Sequence, residues 1–241
     1  MKMKFVTWNI NYGKRWKKAI ELIKKFQPDI LALQEVSSFF PYFNLENVNV
    51  LKEFQKAMPI LKYSCFAPVM QRERNEKLQQ LGNAVFSKYK IVDNEVIYLH
   101  KRLHWSRFWW NRQAKNLLEA KIEIKNKLLF IYSTHLSFFP LLLDTKKRLK
   151  QAEKILETIK GKKPLIIGGD FNGEPNSKVI KKIKNALNSV DYQNQPTFKF
   201  KGFQYKLDYI FHSAGLKVKS CQILETNASD HRPMIVEFEW E

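Results

Sequence analysis

Leu165-Ile166-Ile167-Gly168-Gly169-Asp170-Phe171-Asn172 is a strand-length apolar run that passes directly into a carboxylate and an amide two residues apart. Extended backbone sends residues i and i+2 to the same side, so Asp170 and Asn172 can share one rim. Gly168 and Gly169 permit close backbone approach just before it. The same arrangement recurs along the chain. Phe5-Val6-Thr7-Trp8 leads to Asn9, Ile30–Gln34 to Glu35 and Leu129–Thr134 to His135, while Asp208 precedes Tyr209-Ile210-Phe211 and Asp230-His231 precedes the last apolar run. Strands that repeatedly end in ionisable or amide groups build a convergent polar site on a rigid rim.

Working outward, period-2 patterns predict strands at Lys4–Asn9, Ile30–Val36, Gly82–Ser87, Glu95–Leu99, Leu117–Ile124, Leu128–His135, Leu165–Asp170, Lys206–His212, Leu216–Leu224 and Met234–Glu239. A hairpin is expected across Lys125-Asn126-Lys127. Helical spacing covers Trp16–Phe26, Leu51–Met58, Asp144–Lys160 and a stretch from a Ser177 cap to Leu187. Helices are too few for one per strand. That excludes a doubly wound sheet and predicts an α/β (α+β) four-layer sandwich, two packed mixed sheets flanked by helices, with 1–241 as one domain. The charged stretch Gln71–Gln80 reads as a solvated loop.

Among the 241 residues only Cys65 and Cys221 are cysteines, which leaves no disulfide framework and no CxxC metal or redox site. No apolar run approaches the length of a membrane span, and no apolar h-region follows the start, so a cytoplasmic location is expected. Lys and Arg exceed Asp and Glu by 19, which favours polyanionic partners, nucleic acid before anionic membrane.

Singly, each rim residue has a bland reading: Glu35 as a solvated carboxylate, His135 as a structural histidine, Asn9 and Asn172 as turn formers, and Asp208 as a surface partner of lysine. Their order removes that reading. TWNIN (Asn9), LQEV (Glu35), GNAVFSK (Asn83), STHLS (His135), GGDFN (Asp170, Asn172), LDYIF (Asp208) and SDHRP (Asp230, His231) follow one another from Thr7 to Pro233. This series resembles the endonuclease/exonuclease/phosphatase superfamily, in its histidine-containing branch of deoxyribonucleases, tyrosyl-DNA phosphodiesterases, sphingomyelinases and inositol phosphatases.

The resemblance implies a Mg²⁺-dependent phosphoesterase, with Mn²⁺ as a substitute. Glu35 is then the principal metal ligand, with Asn9 and Asp230 on the metal side; a lone carboxylate at a strand end suits an ion that keeps most of its waters. Asp170 handles the nucleophilic or leaving-group proton and Asn172 holds a phosphate oxygen. His231 with Asp208 has the logic of a general-base pair, the carboxylate fixing the ring tautomer. His135 is a second imidazole, donating to the phosphate or assisting the leaving group. Asn11 and Asn83 are assigned to substrate contact; Asn11 stands where some relatives carry an acid.

Substrate choice falls to the loops. Lys101–Arg112 interleaves Arg107 and Arg112 with Trp105, Phe108, Trp109 and Trp110, a composition that can grip a phosphate backbone and stack bases, or simply pack its rings under a long loop with the arginines in water. Arg107, Trp109 and Arg112 are accordingly substrate-binding candidates. The leading expectation is a monomeric nuclease or DNA-end phosphodiesterase. The competing enzyme reading is a phospholipid or small-molecule phosphatase, with the aromatic segment at a membrane interface. The reading of another class is a non-catalytic polyanion-binding domain, against which the joint presence of Glu35, Asp170, Asp208 and His231 argues.

Overall fold

A computed structural model describes residues 1–101, 113–139, 142–190 and 193–240. The first half supplies β1 (Lys2–Asn9), α1 (Trp16–Phe26), β2 (Ile30–Ser38), α2 (Val50–Ala57), β3 (Tyr63–Arg74) and β4 (Lys77–Ser87). β5 (Lys90–His100), β6 (Lys115–Ile124), β7 (Lys127–His135), α3 (Lys146–Thr158), β8 (Leu165–Asp170) and α4 (Lys178–Lys184) come next. The chain ends with β9 (Asn188–Ser189), β10 (Phe198–Phe200), β11 (Phe203–Tyr205), β12 (Asp208–His212), β13 (Leu216–Ile223) and β14 (Met234–Trp240).

Two mixed six-stranded sheets result, ordered β13-β14-β1-β2-β4-β3 and β5-β6-β7-β8-β12-β9, with β10 and β11 as a separate ribbon. Strand alternation sorts the side chains into layers. Phe5, Ile30, Ala32, Ile166 and Ile210 meet between the sheets. Val6, Trp8, Leu31 and Leu33 take the other face of the first sheet, under Ile20 and Ile23 of α1 and Phe54 of α2. Leu165, Ile167 and Phe211 pack outward from the second sheet against Ile155 of α3 and Ile180 of α4. The order is therefore helix, sheet, sheet, helix, as the sequence pattern predicts.

Capping fixes the helix ends. Asn49, Thr145 and Ser177 each accept a backbone N–H from the third residue on, starting α2, α3 and α4. Asp144, expected inside α3, lies before its cap and accepts from Lys178 N–H instead. The expected loop at 71–80 is the exposed end of the β3–β4 hairpin, paired down to Arg74 and Lys77. Its charges hide a strand because Gln71–Arg74 and Leu78 are exposed, so no apolar alternation marks it. No helix among the described residues is long and apolar enough to cross a membrane.

Register places the site. Parallel β7 and β8 set His135 opposite Asp170, and antiparallel β12 sets Asp208 opposite the same Asp170. Three candidate site residues thus form one row across three adjacent strands.

Candidate active site

The row faces residues from the first sheet across a cleft of about 340 Å³ whose lining includes Asn11, Glu35, His135, Asp170, Asn172, Asp230 and His231. Asn9, at the end of β1, spans the two sheets: its Nδ2 donates to Glu35 Oε1 at 3.3 Å and to Asp170 Oδ2 at 3.2 Å. Its Oδ1 accepts the Asn11 N–H at 3.0 Å. Asn9 therefore holds the two carboxylates with its amide nitrogen while its oxygen is already engaged.

Glu35 reaches the cleft through a break in its strand. The β2–β4 pairing shifts between Leu33 and Val36, and Glu35 has a left-handed φ of 56°. Such a bulge re-aims one side chain without turning the rest of the strand over. Positive φ is costly for a non-glycine residue, and strain of this kind clusters at functional sites. Burial raises the Glu35 carboxyl above its ordinary range, opposed by nearby His231, Lys115 and Asn9.

The imidazole–carboxylate pair is present. His231 Nδ1 lies 2.8 Å from Asp208 Oδ2, with both residues buried. Its Nε2 lies 3.7 Å from Asp170 Oδ2. Trp8 Nε1 donates to the His231 carbonyl, and Ser229 Oγ donates to the Asn9 carbonyl while accepting His231 N–H, so the 229–231 turn is tied to the end of β1. Behind the pair, Thr197 Oγ1 accepts the N–H groups of Leu207 and Asp208. Burial alone would lower the His231 pKa, but Asp208 and Asp170 outweigh it and push it up to about 10. Asp170 is pushed up to about 7, by burial first, with Asp208 adding to it and His231 opposing.

His135 sits 3.7 Å from Glu35 and 3.5 Å from Asp170. Those distances suit an ion pair, yet burial, Lys115 and His231 hold its pKa well below the ordinary value. Burial decides here, and the contacts are those of a neutral ring. Asn172, at a left-handed φ of 48°, donates its N–H to Asp170 Oδ1 and its Nδ2 to the Leu136 carbonyl. Asp230 stands at the cleft edge with its Oδ1 3.2 Å from Ser229 Oγ. Asn83 is not among the cleft-lining residues; it is buried and donates to Asn116 Oδ1 at 2.8 Å. Arg107, Trp109 and Arg112 lie outside the described residues.

The structure adds residues that the sequence did not single out. Lys115 lines the cleft almost fully buried, and burial brings its pKa down to about 8 against the pull of Glu35 and Asp170. Tyr12, Gln113, Phe138 and Phe198 also line it, and the Phe198 ring packs 4.7 Å from His231. A signal for Lys115 does exist: it opens the apolar strand whose partner ends in STHLS, since Leu117 pairs with Thr134.

The donor set fits an oxygen-seeking cation. Glu35 and Asp170 have carboxyls destabilised by burial, and Asp208 Oδ1 is buried with no hydrogen-bond partner. Asp170, Asp208 and His231 could together hold an ion, with ligand atoms within 4.8 Å of one another. That triad would cost the His231–Asp208 hydrogen bond and supply an imidazole, which suits zinc better than magnesium. Glu35 and Asp230 offer only oxygen, the donor that Mg²⁺ and Ca²⁺ prefer.

The family model described as Endonuclease/Exonuclease/phosphatase family matches residues 6–231. The chain belongs to this family. Endonuclease/exonuclease/phosphatase family members are hydrolases of phosphate esters, and a cleft that gathers carboxylates, imidazoles and a lysine fits that general activity. A Bacteroides vulgatus member is similar over 100% of both chains, with a TM-score of 0.78 at 20% identity. The human Nocturnin catalytic domain with bound sulfate is similar over 100% of this chain and 94% of its own, with a TM-score of 0.74 at 24% identity. D. rerio TDP2 complexed with single strand DNA product is similar over 99% of both, with a TM-score of 0.71 at 15% identity. These likenesses concern the fold. A UPF0294 protein of Yersinia enterocolitica is 31% identical over 116 residues, 47% of this chain and 44% of the relative. The match thus spans under half the length of that curated relative.

Proposed function

We propose that the chain is a divalent-metal-dependent phosphodiesterase acting on nucleic acid. The observation that carries the reading is the buried His231–Asp208 pair turned toward Asp170, with Glu35, Asp230 and Lys115 lining the same cleft. A binding module needs no such pair. The excess of 19 basic residues and the likeness to a protein crystallised with a DNA strand support the substrate class.

In this reading Glu35 and Asp230 would hold Mg²⁺, or Mn²⁺ in its place. Bound by these two carboxylates, it would supply Lewis-acid polarisation of a phosphoryl oxygen and would offset the carboxylate charge around His231. Asp208 fixes the ring so that Nε2 faces the cleft, where it takes a proton from the attacking water or positions the phosphate. Asp170 Oδ2, between His231 and His135, takes or returns the second proton. Lys115 and Asn172 meet the nonbridging oxygens, and neutral His135 donates to the phosphate or the leaving oxygen.

The test is turnover of one matched panel (single-stranded DNA and RNA, duplex, plasmid, 5′-phosphotyrosyl DNA, sphingomyelin and phosphoinositides) by the parent, His231→Ala and Glu35→Gln, with and without EDTA. Nucleic-acid cleavage should stop in EDTA, return with Mg²⁺ or Mn²⁺, and fall by at least ~10²-fold in His231→Ala. Lipid turnover alone would overturn the substrate class. Silence of the folded parent across the panel would overturn catalysis.

A further inference from the structure

Thr197-Phe198-Lys199-Phe200-Lys201-Gly202-Phe203-Gln204-Tyr205 alternates aromatic and polar residues on either side of a Lys-Gly turn. In the ribbon it forms, Phe198 pairs with Tyr205, Lys199 with Gln204 and Phe200 with Phe203. Paired residues share a face, so all four rings lie on one side and Lys199 and Gln204 on the other. Neighbouring rings are near-parallel: Phe198 and Phe200 have centroids 6.4 Å apart at 12°, Phe203 and Tyr205 6.5 Å apart at 17°.

An aromatic face of this kind ordinarily packs against a core, but here it does not. None of the four rings joins a described core cluster, and Phe200 and Phe203 are 54% and 65% exposed. A lone two-stranded ribbon is at best marginally stable in water, yet this one is braced to the catalytic turn. Lys199 N–H donates to the Asp230 carbonyl, Arg232 N–H to the Thr197 carbonyl, and the Arg232 guanidinium to the Pro196 carbonyl and Gln204 Oε1. The ring row begins in the cleft, where Phe198 touches His231, and runs outward to solvent.

We propose that the aromatic face of the β10–β11 ribbon is a stacking platform for unpaired nucleobases flanking the phosphate bound at His231. The inference rests on the nucleic-acid reading above and adds a preference for single strands. Charge agrees: no Asp or Glu occurs between Gln193 and Leu207, Lys201 is exposed at the turn beside the rings, and Lys199 is exposed on the ribbon's other face. Lys201 Nζ stands 5.5 Å from the Phe200 centroid. Rings supply sequence-tolerant stacking and lysines follow the backbone, as in general single-strand binders. A bilayer wedge would carry its most apolar residues at the tip, whereas the tip here is Lys201-Gly202.

The test compares the parent with Phe200→Ala/Phe203→Ala and Phe200→Leu/Phe203→Leu by fluorescence anisotropy in EDTA. Probes are DNA and RNA single strands of about 12 nucleotides, within the span that such platforms cover, with a duplex and an abasic strand of equal length. Both double variants should bind either kind of single strand about tenfold or more weakly, from base stacking lost at two rings. Affinity for the abasic strand should stay the same. Phe203→Trp should show emission quenched by the single strand relative to the parent.

If the parent cleaves nucleic acid while the alanine variant binds single strands within about twofold of it, a change too small for lost stacking, the platform is refuted and the function stands. If the leucine variant keeps full affinity, apolar contact replaces stacking and the platform is again refuted. Blue-shifted Phe203→Trp emission on phosphatidylserine–phosphatidylcholine vesicles, with none on oligonucleotide, would assign the ribbon to a membrane surface instead. A parent that neither binds nor cleaves any nucleic acid would overturn the reading beneath it.

Discussion

Asp208→Asn isolates the chemistry from the fold. Asp208 Oδ2 lies 2.8 Å from His231 Nδ1 in a buried environment, while Oδ1 has no partner. An amide in this place has two orientations. With its oxygen toward the ring, its NH₂ occupies the unpartnered Oδ1 position and remains unsatisfied, at a cost of about 1–3 kcal/mol. With its NH₂ toward the ring, it donates to Nδ1 and forces the proton onto Nε2. The second orientation leaves only a carbonyl oxygen unpartnered there, as the carboxylate already does, and is the favoured one; in it the nitrogen facing Asp170 can no longer accept a proton. Turnover at saturating Mg²⁺ should therefore fall by about 10²–10⁴-fold, the range of a lost general base. The assay is kcat on a phosphodiester reporter, with cooperative urea unfolding as the check that the variant is folded. A folded variant within about threefold of the parent would refute the argument, since a lost transition-state proton transfer must appear in kcat. So would a deficit fully restored by excess Mg²⁺, which would assign Asp208 to the metal.

Lys115→Met should lower kcat/KM by about tenfold or more, the scale of one hydrogen bond to a charged group; a variant equal to the parent on the same reporter would remove Lys115 from the phosphate site. Gly169→Ala should destabilise by about 1–3 kcal/mol, because a Cβ there would stand 2.0 Å from the Thr134 carbonyl oxygen. Urea midpoints measure this, and an unchanged midpoint would mean that β7 yields. His212 is held below its ordinary pKa by burial, with partial opposition from the Ser213 carbonyl. A histidine depressed in the fold is more readily protonated when unfolded, so its contribution is present above about pH 6.5 and fades below it. The fall in melting temperature between about pH 7.5 and 5.5 should be shallower in His212→Gln; identical slopes would place the titration elsewhere.

The layers and most of the rim were legible in the sequence for a common reason. Strand alternation and apolar runs that stop at Asn9, Glu35, His135 and Asp170 are local patterns, and register then aligns them. Lys115 was passed over because a lysine at the start of an apolar strand reads as a solvated end, and only the pairing of that strand with STHLS hints at its place in the cleft. The bulge at Glu35 was hidden as well, because nothing in LQEV announces a left-handed residue. The ribbon at 198–205 was missed because two three-residue strands fall below the length at which alternation stands out. Asn83 shows the converse. It belongs to the motif series, yet it ties two strands together through Asn116 instead of lining the cleft.

Asn9 couples the sheets at their most polar point, reaching from β1 to Glu35 in its own sheet and to Asp170 in the other. Gln34 does the same one layer deeper, bonding both Thr7 and Ser133. The cleft is consequently a seam, and neither sheet holds a complete site. Heat inactivation should follow global melting, with no earlier step in which activity is lost while both sheets persist. Turnover would then serve as a gauge of how firmly the two halves of the sandwich are docked.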